Sequence, residues 1–382
     1  MSGFRLLISG GGTGGHLFPA IAAAQELRRR LPESEVLFLG TDRKIDALGL
    51  AAHGFAGAAI ESFGFKGMSF AGKCKAIRAV PKSIYQAIAH IRRFRPHVVL
   101  GVGGYVTGPV LLAAGLRGIP TVIHEQNSVP GMANRLLGRL VTRVCLSLPE
   151  SANYFPAKKC VLTGNPVRQA IAQVAEARRQ HAVPEAPARP TLLVLGGSQG
   201  AHAVNQLVAD AFCNTAKEEL AAIRLIRQTG ADDEAAIRKR YAEAGIEAEV
   251  AAFFTDMATI YSQADYCLSR AGATTLAELA VLGLPSILVP YPYAADNHQE
   301  RNAHYYVEGG GAWMFRQDEL TSATLARHIL ELSGDAARLW AMSKAMRILA
   351  RPQAAEAIVD ICLQAAGWRQ EAGEKANEIY VP

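Results

Sequence analysis

Short apolar runs closed by glycine set the pattern of this chain. Leu6-Leu7-Ile8-Ser9 runs into Gly10-Gly11-Gly12-Thr13-Gly14-Gly15-His16, and Leu192-Leu193-Val194-Leu195 runs into Gly196-Gly197-Ser198-Gln199-Gly200-Ala201-His202. Val98-Val99-Leu100 leads to Gly103-Gly104, and Tyr266-Cys267-Leu268 leads to Arg270-Ala271-Gly272. An apolar helical stretch follows each of the latter two. Then come Gly118-Ile119-Pro120 with the run Thr121-Val122-Ile123, and Gly283-Leu284-Pro285 with the run Ser286-Ile287-Leu288-Val289. Apolar runs without polar alternation predict strands buried on both faces, and their spacing by helical patterns predicts parallel sheets. Strand, glycine turn, helix, Gly-x-Pro, strand occurs in both halves. The predicted fold class is α/β, with two Rossmann-like domains whose parallel sheets face one another across a cleft.

The boundaries follow from the same pattern. Residues 1–163 form the expected first domain and 191–350 the second. Residues 164–190 between them read as a helix and linker, rich in alanine and charge, with Pro184, Pro187 and Pro190. Residues 351–368 read as a helical stretch after Arg351-Pro352, and 369–382 as a polar tail. No secretory signal is expected, because only Leu6 to Ile8 is apolar before the polar turn. The six cysteines are scattered without a C-x-x-C pair. That points to a reduced setting without disulfides and to no bound metal. Val98 to Leu116 spans 19 residues without a charge, enough for a membrane helix, but it contains five glycines and Pro109. A buried strand and helix are expected there instead.

Charge is uneven. From Ser62 through His124 there is no Asp or Glu but nine Lys or Arg: Lys66, Lys73, Lys75, Arg78, Lys82, Arg92, Arg93, Arg95 and Arg117. Phe63, Phe65, Met68, Phe70, Ile77, Val80, Ile84 and Tyr85 lie among the first of them. Such a surface suits an anionic membrane leaflet, at about 1 kcal/mol per well-placed cation. Single-stranded nucleic acid or a plain solvated helix face are the other readings.

The chemistry gathers at the turns. Gly10-x-Gly12-x-x-Gly15 fits a dinucleotide fingerprint, with Asp42 after the expected strand Val36 to Leu39, so an NAD-dependent oxidoreductase is one reading. His16, next to the last glycine, instead suggests an imidazole that acts on a substrate. Gly272-Ala273-Thr274-Thr275-Leu276-Ala277-Glu278 reads as a phosphate-binding helix entrance. There Glu278 is either a ribose ligand or a capping acid paired with Thr275, and Arg270 is available to offset diphosphate charge. Two polar runs, His124-Glu125-Gln126-Asn127 and Asp296-Asn297-His298-Gln299-Glu300, fall at carboxyl ends of strands, where open α/β sheets bind ligands.

In their order, Gly11 to His16 with Pro19-Ala20, Gly103-Gly104-Tyr105, His124 to Asn127, Gly164-Asn165-Pro166-Val167-Arg168, Gly196 to Gly200 and Gly272 to Glu278 resemble the MurG family over about residues 4 to 350. These are the N-acetylglucosaminyltransferases that make lipid II in bacterial peptidoglycan synthesis. The resemblance implies a GT-B-type fold whose C-terminal helix returns to the first domain. It implies a peripheral enzyme on the cytoplasmic face of the inner membrane, with UDP-N-acetylglucosamine and lipid I as partners, no cofactor and no nucleic acid.

It also implies roles. Phe254 lies against uracil, Glu278 binds ribose, and the amides of Ala273, Thr274 and Thr275 bind the diphosphate. Ser198, Gln199, Arg168, Asn127, His298 and Gln299 hold phosphate and sugar, and Thr13, Gly14 and Gly15 close on the donor. Phe254 and His298 depart from the family pattern, which has an aliphatic residue and a glutamine there. The expected reaction is an inverting transfer to the 4-hydroxyl of N-acetylmuramic acid, with His16 as first choice of general base and Glu125 as the alternative. A non-catalytic sugar-nucleotide-binding protein is a third reading.

Overall fold

A computed structural model of the chain describes residues 3–11, 14–41, 49–62, 70–180, 189–197, 200–216, 219 and 222–368, with the side chains of 70–79 left aside. Thr13, Asp42, Phe63, Phe65, Lys66, Met68, Ser198, Gln199 and the tail from 369 lie outside the described residues. The chain divides into two compact units, one running to Arg168 and resuming at Pro352, the other Gln169–Arg351.

The first unit holds a seven-stranded sheet of β1 (Arg5–Gly10), β2 (Glu35–Gly40), β3 (Ala56–Ala59), β4 (Val98–Gly103), β5 (Thr121–Glu125), β6 (Arg143–Leu146) and β7 (Cys160–Leu162). Its order is β3-β2-β1-β4-β5-β6-β7, and every pairing is parallel. The unbroken apolar runs serve two cores at once. Leu6, Ile8, Val98 and Leu100 face one side with Leu17, Ile21 and Leu27, while Leu7 and Val99 face the other with Ile91, Val110 and Leu111. Successive side chains of a strand point to opposite faces, so a strand covered on both sides must be apolar throughout.

The helix Ala354–Ala365 packs on the helix Gly14–Arg30 and on β4, β5 and β6, burying Ile358, Val359 and Cys362 in the first of those cores. Arg30 pairs with Asp360 at 2.5 Å. Val98–Leu116 divides into β4 and the ten-residue helix Thr107–Leu116. No helix among the described residues is long and apolar enough to cross a membrane.

The second unit repeats the plan with β8 (Thr191–Leu195), β9 (Arg224–Gln228), β10 (Ala248–Ala251), β11 (Tyr266–Ser269), β12 (Ser286–Leu288) and β13 (Ala312–Met314), ordered β10-β9-β8-β11-β12-β13 and parallel throughout. In the stretch read as a helix and linker, the helix is Gln169–Gln180, and it belongs to this unit. It buries Ile171 and Ala175, and Arg178 donates to the carbonyls of Tyr261 (3.1 Å) and Ala264 (2.9 Å). Those capped carbonyls and apolar contacts tie it to the second unit rather than the first. In both units strand order reverses beside the strand that carries the first glycine turn: between β1 and β4, and between β8 and β11. Open α/β sheets bind ligands at that switch point, outside the carboxyl ends of the strands.

Candidate active site

In the first unit the switch point is built from glycine and a row of polar side chains. Gly10 and Gly11 leave β1 at φ +148° and +131°, and the helix Gly14–Arg30 begins just beyond. His16 lies in its first turn, with Gly14 and Gly15 before it. Its ring rests on the turn after β4: a Cβ on Gly103 would stand 2.9 Å from His16 Cε1, and Gly103 itself has φ +104°. Only glycine satisfies both the backbone angle and the close approach.

One partner of His16 comes from just beyond β5. His16 Nδ1 and Gln126 Oε1 are 3.1 Å apart. Gln126 Nε2 donates to the carbonyl of Val102 at 2.9 Å and lies 3.1 Å from His124 Nδ1. His124 Nε2 in turn contacts Ser147 Oγ and the carbonyl of Gly164, each at 3.1 Å. Burial pushes His124 down to about 4, so its ring is neutral at neutral pH.

Glu125 is buried and faces the following loop. Its Oε1 accepts from the backbone N–H (3.0 Å) and Nδ2 (3.4 Å) of Asn127, and its Oε2 accepts from Asn134 Nδ2 at 2.7 Å. Burial raises its pKa, and the bonds from Asn127 and Asn134 oppose that rise. Arg168, the last residue of the unit before the chain crosses to the second, stacks its guanidinium 5.1 Å from the ring centroid of Phe18.

In the second unit the helix Ala273–Leu282 starts after Gly272, whose extended backbone (φ −70°, ψ 133°) caps it without a side chain. The N–H groups of Ala273, Thr274 and Thr275 therefore open the helix, where the dipole favours an anion. Asn302 Nδ2 braces the loop by donating to the carbonyl of Ala271 at 3.2 Å. The capping-box alternative for Glu278 is not realised, because Gly272 is the cap and Glu278 lies in the second turn. Its buried carboxylate accepts instead from Tyr261 Oη at 3.0 Å.

Arg270 has a bracing geometry. One terminal nitrogen donates to the carbonyls of Val289 and Pro290 (3.0 and 2.9 Å) and the other to Gln317 Oε1 at 2.6 Å, with Tyr291 beneath the guanidinium. In the segment that follows β12, Asp296 and Asn297 take left-handed backbone angles and precede the helix His298–Glu308. His298 Nδ1 lies 2.8 Å from the carbonyl of Ala295, and Gln299 Oε1 accepts from the backbone N–H of Tyr291 at 2.9 Å. A carbonyl only accepts, so His298 Nδ1 carries a proton and its Nε2 is the accepting nitrogen of the neutral ring.

Gln228, at the end of β9, joins two further pieces. Its Nε2 donates to the carbonyl of Gly197 at 3.3 Å and its Oε1 accepts from the backbone N–H of Phe254 at 3.2 Å. Sequence reasoning gave no role to Gln126, Gln228 or Tyr261. Gln126 stood inside a run already singled out; Tyr261 and Gln228 carried no local signal, because their partners lie on other elements. Among the described residues no group of three or more His, Cys, Asp or Glu is placed to hold a metal ion.

Comparison with known proteins agrees with this layout. Residues 6–146 match the glycosyltransferase family 28 N-terminal domain and residues 191–358 the family 28 C-terminal domain. The chain is 54% identical over 94% of its length to a Desulfotalea psychrophila UDP-N-acetylglucosamine--N-acetylmuramyl-(pentapeptide) pyrophosphoryl-undecaprenol N-acetylglucosamine transferase, covering 96% of that protein. It is 42% identical to the Myxococcus xanthus protein of the same name, over 94% of this chain and 92% of that one. The crystal structure of Acinetobacter baumannii MurG superposes with a TM-score of 0.76 at 30% identity, over 94% of this chain and 99% of that one. The nicotinamide reading of the first turn falls with these matches. A GT-B-type pair of Rossmann-like units, a glycine turn at each switch point and near-full-length identity to curated transferases make this chain a member of glycosyltransferase family 28, in its MurG branch.

Proposed function

We propose that the chain transfers N-acetylglucosamine from UDP-N-acetylglucosamine to the 4-hydroxyl of the N-acetylmuramyl group in lipid I, inverting C1 and forming lipid II for peptidoglycan. The observation that carries this reading is the 54% identity to a curated transferase of that donor and acceptor.

The donor belongs to the second unit. Glu278, aligned by Tyr261, takes the ribose hydroxyls, and the amides of Ala273, Thr274 and Thr275 take the diphosphate. Phe254, held through Gln228, lies against the base. His298, through its accepting Nε2, and Gln299 receive sugar hydroxyls, with Ser198, Gln199, Asn127 and Arg168 as further ligands. Arg270 acts by bracing the loop and by charge, since carbonyls and Gln317 already hold its nitrogens. Thr13, Gly14 and Gly15 complete the donor contacts.

His16 is the general base. The acceptor oxygen forms its bond to C1 as the bond from C1 to the β-phosphate oxygen breaks, and that electron pair leaves on UDP. The hydroxyl proton passes to His16 and afterwards to solvent. An imidazole is the side chain most often used to take a hydroxyl proton, and the helix entrance at Gly272 steadies the departing charge. Glu125 supports the site by tying Asn127, through Oε1, to Asn134 of the helix Met132–Leu137, through Oε2.

Membrane contact is peripheral, at the anionic cytoplasmic face of the inner membrane. Supporting it are Leu112, Leu116, Met132, Leu136 and Leu140, exposed on and just beyond two packed helices, Thr107–Leu116 and Met132–Leu137, with exposed Arg117, Arg139 and Arg143 beside them in sequence. The acid-poor stretch pointed to this surface only in part: Lys82 pairs with Glu61 at 2.7 Å.

The test is UDP release from UDP-N-acetylglucosamine with and without a short-chain lipid I analogue. Acceptor-dependent release is expected. Donor binding without release, from folded protein, would reduce the chain to a sugar-nucleotide-binding protein.

A further inference from the structure

We propose that Gln126 and His124 are positioning residues that fix the tautomer of His16, keeping its ring proton on Nδ1 so that Nε2 is the nitrogen that takes the acceptor's proton. The inference rests on the base role proposed for His16 and goes beyond it by assigning the proton on each ring nitrogen.

Two backbone carbonyls set the direction of the whole chain of bonds, because a carbonyl only accepts. Gln126 Nε2 lies 2.9 Å from the carbonyl of Val102, so that end of the amide is the donor. His124 Nε2 lies 3.1 Å from the carbonyl of Gly164, so it carries a proton. Burial keeps His124 neutral, with a pKa pushed down to about 4, and its Nδ1 is therefore unprotonated. That nitrogen accepts the second amide hydrogen of Gln126, 3.1 Å away. Both amide hydrogens are now committed, and what Gln126 turns to His16 Nδ1, at 3.1 Å, is its oxygen. An amide oxygen accepts, so His16 donates from Nδ1, and the lone pair of the neutral ring sits on Nε2.

An isolated imidazole prefers the opposite arrangement, with its proton on Nε2. The buried pair Gln126 and His124 reverses that preference and does so before substrate arrives. When Nε2 takes the hydroxyl proton, the bond from Nδ1 to the amide oxygen is kept and becomes charge-assisted. No group needs to reorient as the charge forms. Gly103 completes the device, since any side chain there would push the ring off the backbone on which it rests.

The test uses the intact protein labelled with 15N-histidine. Long-range proton–nitrogen correlation at pH 8, with the His16 signals identified by their absence in His16→Ala, reads the proton on each ring nitrogen directly. The proposal expects His16 protonated at Nδ1 and unprotonated at Nε2; a proton on Nε2 overturns it, and this wild-type spectrum decides even where Gln126→Leu fails to fold. In turnover, Gln126→Leu should lower kcat about ten- to hundredfold, within the ~100- to 10,000-fold that a general base supplies, with the donor KM unmoved. Normal turnover in His16→Ala would remove the base reading and this inference with it. Slow His16→Ala beside a fast, folded Gln126→Leu would remove only the inference.

Discussion

Tyr261 Oη donates to Glu278 Oε2 at 3.0 Å, joining the helix Met257–Gln263 to the second turn of the helix that opens at Gly272. Both side chains are buried, so the carboxylate is held by its partners rather than by water. Hydrogen bonds to charged groups contribute more than neutral ones, and a buried carboxylate that loses a donor keeps its desolvation cost. Tyr261→Phe should therefore raise the KM for UDP-N-acetylglucosamine about five- to twentyfold, with kcat changed less than threefold. Steady-state kinetics at saturating acceptor reads this, and an unchanged donor KM would take Glu278 away from the ribose.

His16→Ala should slow turnover about 100- to 10,000-fold while donor affinity stays within a few-fold. Because the His16 ring meets Gln126 and the Gly103 backbone, its removal leaves the cores of the unit intact. Single-turnover rates beside donor titration separate the two quantities. Near-normal turnover would leave the base unassigned.

Stability of the first unit should depend on acid through His124. Its folded pKa, about 4, lies below the unfolded value near 6.5, so the unfolded chain binds the extra proton. The stability is complete above about pH 6.5 and is lost as pH falls from there to about 4, by at most about 3 kcal/mol. Hydrogen exchange at β5, followed from pH 7 to pH 4.5, should show protection falling across that window. A flat profile would mean that His124 is not held neutral.

Transfer should persist in EDTA. No Asp-x-Asp pair occurs in the sequence, and in the reading proposed above the helix entrance at Gly272 receives the leaving diphosphate. Activity abolished by EDTA and restored by one particular divalent ion would place a metal in the reaction.

Binding to vesicles rich in anionic lipid should weaken when the exposed leucines become acidic. Leu116 and Leu136 are 74% and 69% exposed, which makes them candidates to enter a bilayer surface rather than a core. Loss of one buried leucine removes about 1.5–3 kcal/mol, so Leu116→Glu with Leu136→Glu should reduce binding at least ~100-fold. Turnover of a soluble short-chain acceptor should be retained. Equal sedimentation of both forms with vesicles would move the membrane contact elsewhere.

The chain by itself determined what depends on local rules. Runs such as Leu6–Ile8 and Leu192–Leu195 are apolar at every position because both faces of a parallel strand are covered, and glycine follows because the turns need angles and approaches that other residues resist. Periodicity and glycine were enough for two Rossmann-like units, and they marked His16, Glu278 and the Gly272 turn as candidates. Tertiary structure alone decided which donor meets which acceptor. Gln126 finds His16 110 positions away, Tyr261 finds Glu278 across two helices, and Arg270 turns to carbonyls and Gln317. Hydrogen bonding is directional and short-ranged, so these pairings exist only after the sheets bring the elements together. The helix Gln169–Gln180 joins the second unit for the same reason: its buried face and the carbonyls that Arg178 caps lie there, and no local pattern in its own residues records that.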